Sequence, residues 1–155
     1  MRVNPRVVLD TSVYLSAERH GLLFLARKRA YTLICSPFLI NEIVRKRTEM
    51  AIQQGLDREV YRARINQYVN EISALAVMVN HTRLTGGNYT DWLRDPDDIP
   101  VLATALVGKA QFLVSWNTKD FPPNGSFAHV CYVTPPQFLG EMYRQHPQTT
   151  QVDDG

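Results

Sequence analysis

The chain has 155 residues, a mass of 17.7 kDa and a formal net charge of +2. That length predicts one domain that buries roughly 70% of its unfolded surface and folds without staples. With 45% hydrophobic and 21% charged residues the sequence lies outside the disordered class, and no apolar run approaches the roughly 20 residues of a membrane helix.

The N-terminus carries no apolar signal core, so a cytoplasmic location is expected. Arg6-Val7-Val8-Leu9-Asp10 reads as a first strand ending in a carboxylate. Thr11 and Ser12 are good helix caps, and residues 13–30 read as one helix bent at Gly21. Residues 31–35 are β-rich and read as a second strand. Ser36-Pro37 is a cap followed by proline at the first helical position, which predicts a helix to about Gln54, stopped by Gly55. Leu39, Ile40, Ile43 and Val44 have the spacing of one buried face. Asp57 caps a further long helix to about Leu75, and residues 76–80 read as a short strand.

Residues 81–96 carry little pattern, and Gly86-Gly87-Asn88 marks a loop. Asp97 or Asp98 then opens a helix closed near Gly108. Residues 112–115 and 129–133 read as strands, separated by the Phe121–Gly125 loop. Pro135-Pro136 starts a last helix to about Arg144. Residues 1–145 are expected to form the domain and 146–155 a disordered tail. The two cysteines, Cys35 and Cys131, lie in strand-like runs without C-x-x-C or zinc spacing, so both are expected as buried reduced thiols. Strands alternating with helices predict an α/β fold: a Rossmann-like parallel sheet of four to five strands flanked by helices. Such sheets bind ligands beyond the carboxyl ends of their strands.

Several acids fall near those ends. Asp10 closes the first strand, Glu42 follows the second, Asp98 opens a helix, and Asn117 and Asp120 follow the 112–115 strand. Gathered carboxylates repel and raise one another's pKa, unless a cation offsets the charge. Hard oxygen donors suit Mg²⁺ or Mn²⁺. Each acid also has a plain structural reading: Asp10 and Asp98 as helix caps, Glu42 as a solvated surface acid, Asp120 as a turn residue. Charge is unevenly spread. Residues 19–64 hold ten basic and four acidic side chains, while 91–98 hold four acids and one arginine. A basic surface beside an acidic point fits a polyanion approaching a cation site, and equally fits solvated helix faces.

The motifs in order resemble those of PIN-domain nucleases. Val7-Val8-Leu9-Asp10-Thr11-Ser12 resembles the first motif and Asn41-Glu42-Ile43 the second. Asp95-Pro96-Asp97-Asp98 with the helix to Ala105 resembles the third, and Ser115-Trp116-Asn117-Thr118-Lys119-Asp120-Phe121 the fourth. Thr134-Pro135-Pro136-Gln137-Phe138-Leu139 resembles the closing segment of the family. The Asp-Pro-Asp-Asp form and the long middle helices look most like the branch of toxins in type II toxin–antitoxin pairs.

The resemblance implies a three-layer α/β/α fold and a metal-dependent endoribonuclease using Mg²⁺ or Mn²⁺. It implies catalytic roles for Asp10, Glu42 and Asp98, with Asp95 or Asp97 as substitutes for Asp98 if the register shifts. Metal contacts are implied for Asp10, Asp98, Asn117 and Asp120. Asn117 departs from the aspartate found in many members: an amide ligates or orients water but adds no charge. Thr11, Ser12 and Ser115 match polar groups lining the site. Trp116 is the first choice for stacking on an unpaired base, with Trp92, Tyr14 and Tyr89 as others. Basic residues of the long helices, Arg45 and Lys46 among them, would hold the RNA backbone. A cognate antitoxin and a homodimer are the partners implied, with no membrane. The competing reading is a non-catalytic PIN-like module that binds RNA or protein. Haloacid-dehalogenase-like phosphatases expect Asp-x-Asp after the first strand, where this chain has Thr11-Ser12; response-regulator receivers expect an acidic pair ahead of that aspartate and a later lysine. Neither pattern is present.

Overall fold

A computed structural model describes residues 4–83 and 95–145. The elements in chain order are β1 (Arg6–Leu9), α1 (Thr11–Tyr14), α2 (Arg19–Arg27), β2 (Thr32–Cys35), α3 (Pro37–Gln53), α4 (Arg58–Leu75) and β3 (Val77–Met78). After two 3-10 turns, His81–Arg83 and Pro96–Asp98, come α5 (Ile99–Val107), β4 (Phe112–Val114), β5 (Ser126–Phe127), β6 (Val130–Val133) and α6 (Pro135–Gln145). The sheet order is β3-β2-β1-β4-β6-β5. All pairings are parallel except β5 with β6. This is the expected α/β architecture.

The chain leaves β1 toward β2 and β3 on one side and returns to β4 on the other. The gap between β1 and β4 at their carboxyl ends is therefore the topological switch, where such sheets form clefts. β1 is central, and Val7, Val8 and Leu9 are fully buried, as a strand covered on both faces requires.

The helices start where local chemistry dictates. Ser36 caps α3 by accepting from the Leu39 amide, with Pro37 in the first turn. Asp57 caps α4 through the Val60 amide. The Ser36 and Thr104 hydroxyls meet at 2.8 Å in the core and tie the start of α3 to α5. Gly108 ends α5 against β2; a Cβ there would stand 2.4 Å from Ile34 Cγ2, so only glycine fits the approach.

The structure corrects several expectations. The helix expected over 13–30 is two helices. The break falls at residues 15–18, where Ser16 Oγ donates to the Val13 carbonyl and Arg19 to the Ser16 carbonyl, offering the backbone an alternative to helix. Gly21 lies inside α2, facing Leu139 and Tyr143 of α6. Asp98 holds the N-cap position of α5 as expected, but its side chain caps nothing; the side-chain cap is Asp95, which accepts from the Asp97 amide and opens the preceding 3-10 turn. A sixth strand, β5, joins the sheet as a two-residue antiparallel hairpin, too short to leave a periodic pattern. Cys131 is exposed, because side chains on β6 alternate and only Val130 and Tyr132 face the core; Cys35 is buried as expected. Val44 is also exposed, since the inner row of α3 runs through Leu39, Ile43 and Ala51. Among the described residues no helix is long and apolar enough to cross a membrane. The tail expected over 146–155 lies outside the described residues.

Candidate metal centre

Asp10 stands just past β1, at the switch point. Its amide donates to the Val114 carbonyl at 2.9 Å, which continues the β1–β4 ladder by one residue and fixes the side chain beside the loop after β4. Asp10 is 7% exposed, and both of its carboxylate oxygens accept hydrogen bonds. Oδ1 accepts from the Thr11 amide at 2.8 Å, capping α1, and Oδ2 accepts from Ser12 Oγ at 3.0 Å and Ser115 Oγ at 2.7 Å. The cap reading and the site reading of Asp10 thus describe the same side chain. Burial raises its pKa; the bonds from Ser115, Ser12 and Thr11 oppose that, and the charge of Glu42 adds to it.

The two serines also organise the opposite loop. Ser115 Oγ accepts from the Asn117 amide at 2.9 Å, and Ser12 Oγ accepts from the Trp116 amide at 3.2 Å. The loop after β4 is thereby laced to Asp10. Ser12 and Ser115, expected to line the site as substrate contacts, have their hydroxyls on the Asp10 carboxylate. Thr11 contributes its amide there and is buried.

Around the rim lies a second group of acids. Carboxylate oxygens of Asp95, Asp98 and Asp120 all come within 4.8 Å of one another. Asp98 and Asp120 are half-buried and Asp95 is exposed. Burial and a hydrogen bond with Asp120, then the charges of Asp10, Asp120 and Asp95, push the Asp98 carboxyl up to about 8. The group therefore favours binding a proton or a cation over carrying all its charges bare. The Asn117 amide bridges the pair. Its Nδ2 donates to Asp98 Oδ2 at 3.3 Å and Asp120 Oδ2 at 3.1 Å, and its Oδ1 accepts from the Asp120 amide at 3.3 Å. Asn117 therefore positions two acids, with its oxygen turned onto backbone.

Glu42 sits on α3, close enough to Asp10 to raise its pKa. It also takes a two-pronged bond from Arg45 at 2.9 and 3.0 Å, and Arg45 reaches Glu49 at 3.2 Å. Arg45, expected on the RNA backbone, is thus paired along its own helix; Lys46 is half-buried on α3. Trp116 is 38% exposed beside the acids. Tyr14 is completely buried, so it offers no face to a base. Tyr89 and Trp92 lie outside the described residues.

The donor set fits a hard divalent cation: several carboxylate oxygens crowd one point, with no thiolate or imidazole among them. The family resemblance put Asp98 ahead of Asp95 and Asp97. The fold brings Asp95 and Asp98 to the site, because the 3-10 turn places them one turn apart with Asp98 N–H on the Asp95 carbonyl. The Asp-Pro pair was the signal, a cap followed by a residue that starts a turn.

No curated protein and no solved structure gives a significant match. A family model described as PIN domain matches residues 6–119, from the start of β1 through Lys119 of the loop after β4. The match spans the switch point, both serines that hold Asp10, and the turn carrying Asp95 and Asp98. The chain belongs to the PIN-domain family.

Proposed function

We propose that this chain is a metal-dependent endoribonuclease that hydrolyses RNA phosphodiester bonds, acting as the toxin of a toxin–antitoxin pair. PIN domains are typically metal-dependent nucleases. The observation that carries the reading is the carboxylate group at the switch point: Asp95, Asp98 and Asp120 within 4.8 Å, electrostatically coupled to buried Asp10.

Asp10, Asp98 and Asp120 would hold Mg²⁺ or Mn²⁺, with Asp95 at the exposed edge. When bound, the ion lowers the pKa of a water and offsets charge on the scissile phosphate. The residues of the chain do the positioning. Ser12 and Ser115 fix both the rotamer and the charge of Asp10. Asn117 sets the separation of Asp98 from Asp120. Glu42, on the facing helix, orients the attacking water. That water's oxygen forms the new bond to phosphorus while the bond to the 3′ oxygen breaks. The products carry 5′-phosphate and 3′-hydroxyl ends, the 3′ oxygen taking up a proton. A cognate antitoxin would cover this acidic cleft, and a homodimer fits the same reading.

The test is cleavage of a labelled RNA panel with Mg²⁺ or Mn²⁺, wild type beside Asp10→Asn, with a chelator control. Cleavage that needs both the metal and Asp10 is the expected result. Cleavage by Asp10→Asn with unchanged metal dependence would refute the site.

Two observations favour a second reading, a non-catalytic module that binds RNA or protein through this surface. Asn117 donates to Asp98 and Asp120, which lessens their need for a cation, and Glu42 is paired with Arg45. Failure of the wild type to bind Mn²⁺ would select this reading.

A further inference from the structure

A cleft of about 490 Å³ opens between α2 and α4 and is lined by Arg19, His20, Arg27, Arg47, Tyr68 and Glu71. Its volume is in the range of sites that hold small ligands. Its charge is unbalanced. Three guanidiniums face one carboxylate, and none of the three has a carboxylate within 4.0 Å; among the described residues the ion pairs are those of Arg45 and Arg144.

The inner wall is a built structure. Arg47 Nη2 donates to the Tyr14 carbonyl at 2.8 Å, and the Tyr68 hydroxyl donates to the same oxygen at 2.9 Å. The guanidinium lies over the Tyr68 ring, 4.3 Å from its centroid. Arg47 Nε is buried without a hydrogen-bond partner, so the protein itself does not saturate this arginine. Arg19 Nη1 is anchored on the Ser16 carbonyl at 2.8 Å, and Arg27 is exposed at the end of α2.

Tyr14 is the last residue of α1, the helix that Asp10 caps. Asp10 and Tyr14 thus stand at the two ends of one helical turn, roughly 6 Å of backbone rise apart, with the cleft wall built on the Tyr14 carbonyl. We propose that the cleft is a second contact for the RNA strand, holding backbone phosphates that flank the scissile one. This rests on the ribonuclease reading above. Guanidinium forks donate to phosphate and carboxylate oxygens alike. The shared helix favours the strand: Asp10 caps α1 and the cleft wall is built on its last carbonyl, so one chain lying at the carboxylates can reach both.

The test uses the full chain carrying Asp10→Asn, so that RNA binds without being cut, and a short single-stranded RNA followed by anisotropy with Mn²⁺ present. Arg27→Glu is compared with Lys109→Glu, the same charge change in the turn before β4 at the opposite end of the sheet. Arg27→Glu is expected to weaken binding at least tenfold and to flatten the dependence of log K on log salt. Lys109→Glu is expected to change affinity less than twofold. Equal effects of the two changes overturn the cleft as an RNA contact. So does an acidic hexapeptide whose binding is lost in Arg27→Glu while RNA binding is not, which would assign the cleft to a protein partner. Cleavage by the chain with Asp10 restored reads the nuclease separately. Asp10-dependent cleavage that Arg27→Glu and Lys109→Glu leave equal overturns the cleft alone. RNA binding sensitive to Arg27 without any cleavage keeps the cleft and overturns the nuclease, and absence of both overturns both.

Discussion

Asp10 and Asp98 are two carboxylates on either side of one switch point, and they are stabilised in opposite ways. Asp10 is the more buried, yet three donors from Thr11, Ser12 and Ser115 surround it. Asp98 is less buried, but its neighbours are Asp120, Asp95 and Asp10, and its carboxyl keeps a proton to about pH 8. Burial is the largest cause of a raised pKa at both; at Asp10 three donors oppose it, whereas at Asp98 the neighbouring carboxylates add to it. The protein surrounds one acid with hydrogen-bond donors and the other with further acids, so the second depends more on a proton or a cation.

The largest effect that would sharpen this contrast is on activity. Asp10→Asn is expected to lower metal-dependent RNA cleavage by a factor of 100 or more while the melting temperature stays within a few degrees. An asparagine oxygen can still accept from Thr11 N–H, so the helix cap survives the loss of charge. A fall in melting temperature that accounts for the lost activity would contradict the assignment.

Next in size is the response to metal and pH. Mn²⁺ at about 100 times its Kd should stabilise the wild type by about 2.7 kcal/mol, and Asp98→Asn should remove most of that gain. In metal-free protein, the raised Asp98 pKa means that its stabilising contribution is complete below the ordinary carboxylate range. It is lost as pH rises through about 8. Thermal melts of the metal-free chain from pH 5 to 9 should therefore slope downward in that window, and Asp98→Asn should flatten the slope. An unchanged slope would place the proton elsewhere.

Asn117→Asp moves the site toward the sequence found in many family members. A fourth acid in place of a bridging amide adds repulsion and removes two hydrogen bonds. The metal-free variant should melt lower than wild type, and its Mn²⁺ affinity should rise several-fold by titration calorimetry. Weaker Mn²⁺ binding would show that the amide itself is a required part of the site.

Ser115→Ala is the smallest of these changes. It strips one donor from Asp10 and one acceptor from the Asn117 amide. Hydrogen bonds to charged groups are worth about 1.5–3 kcal/mol, and denaturant unfolding should show a loss at the low end of that range with fold retained. No measurable loss would mean that solvent replaces the serine and that the socket is looser than its geometry.

The same contrast explains what the sequence made legible. Asp10 could be read because a strand ending in Asp-Thr-Ser carries its own local signature, and the caps at Ser36 and Asp57 were read for the same reason. The sheet followed from strands alternating with helices. The pairing of Asp95 and Asp98 with Asp120 was only partly legible: the register of an aspartate run is set by a 3-10 turn, not by hydrophobic period. That the hydroxyls of Ser12 and Ser115 lie on the Asp10 carboxylate was not legible, because residue type shows a donor but not its acceptor. Cys131 and Val44 were misplaced because apolar runs do not reveal which face a neighbouring element covers. The cleft over Tyr14 was invisible in the sequence, since Arg19, Arg47 and Tyr68 come from three helices: Arg47 and Tyr68 meet on the Tyr14 carbonyl and Arg19 is held on the Ser16 carbonyl.

The central claim is that the acids at the switch point form a divalent-cation site. Titration calorimetry of Mn²⁺ into the metal-free wild type and Asp98→Asn, at pH 7.5, tests it most directly. Saturable binding to the wild type, weakened at least tenfold in Asp98→Asn, is the predicted result. No binding to the wild type, or equal binding to both, would contradict it.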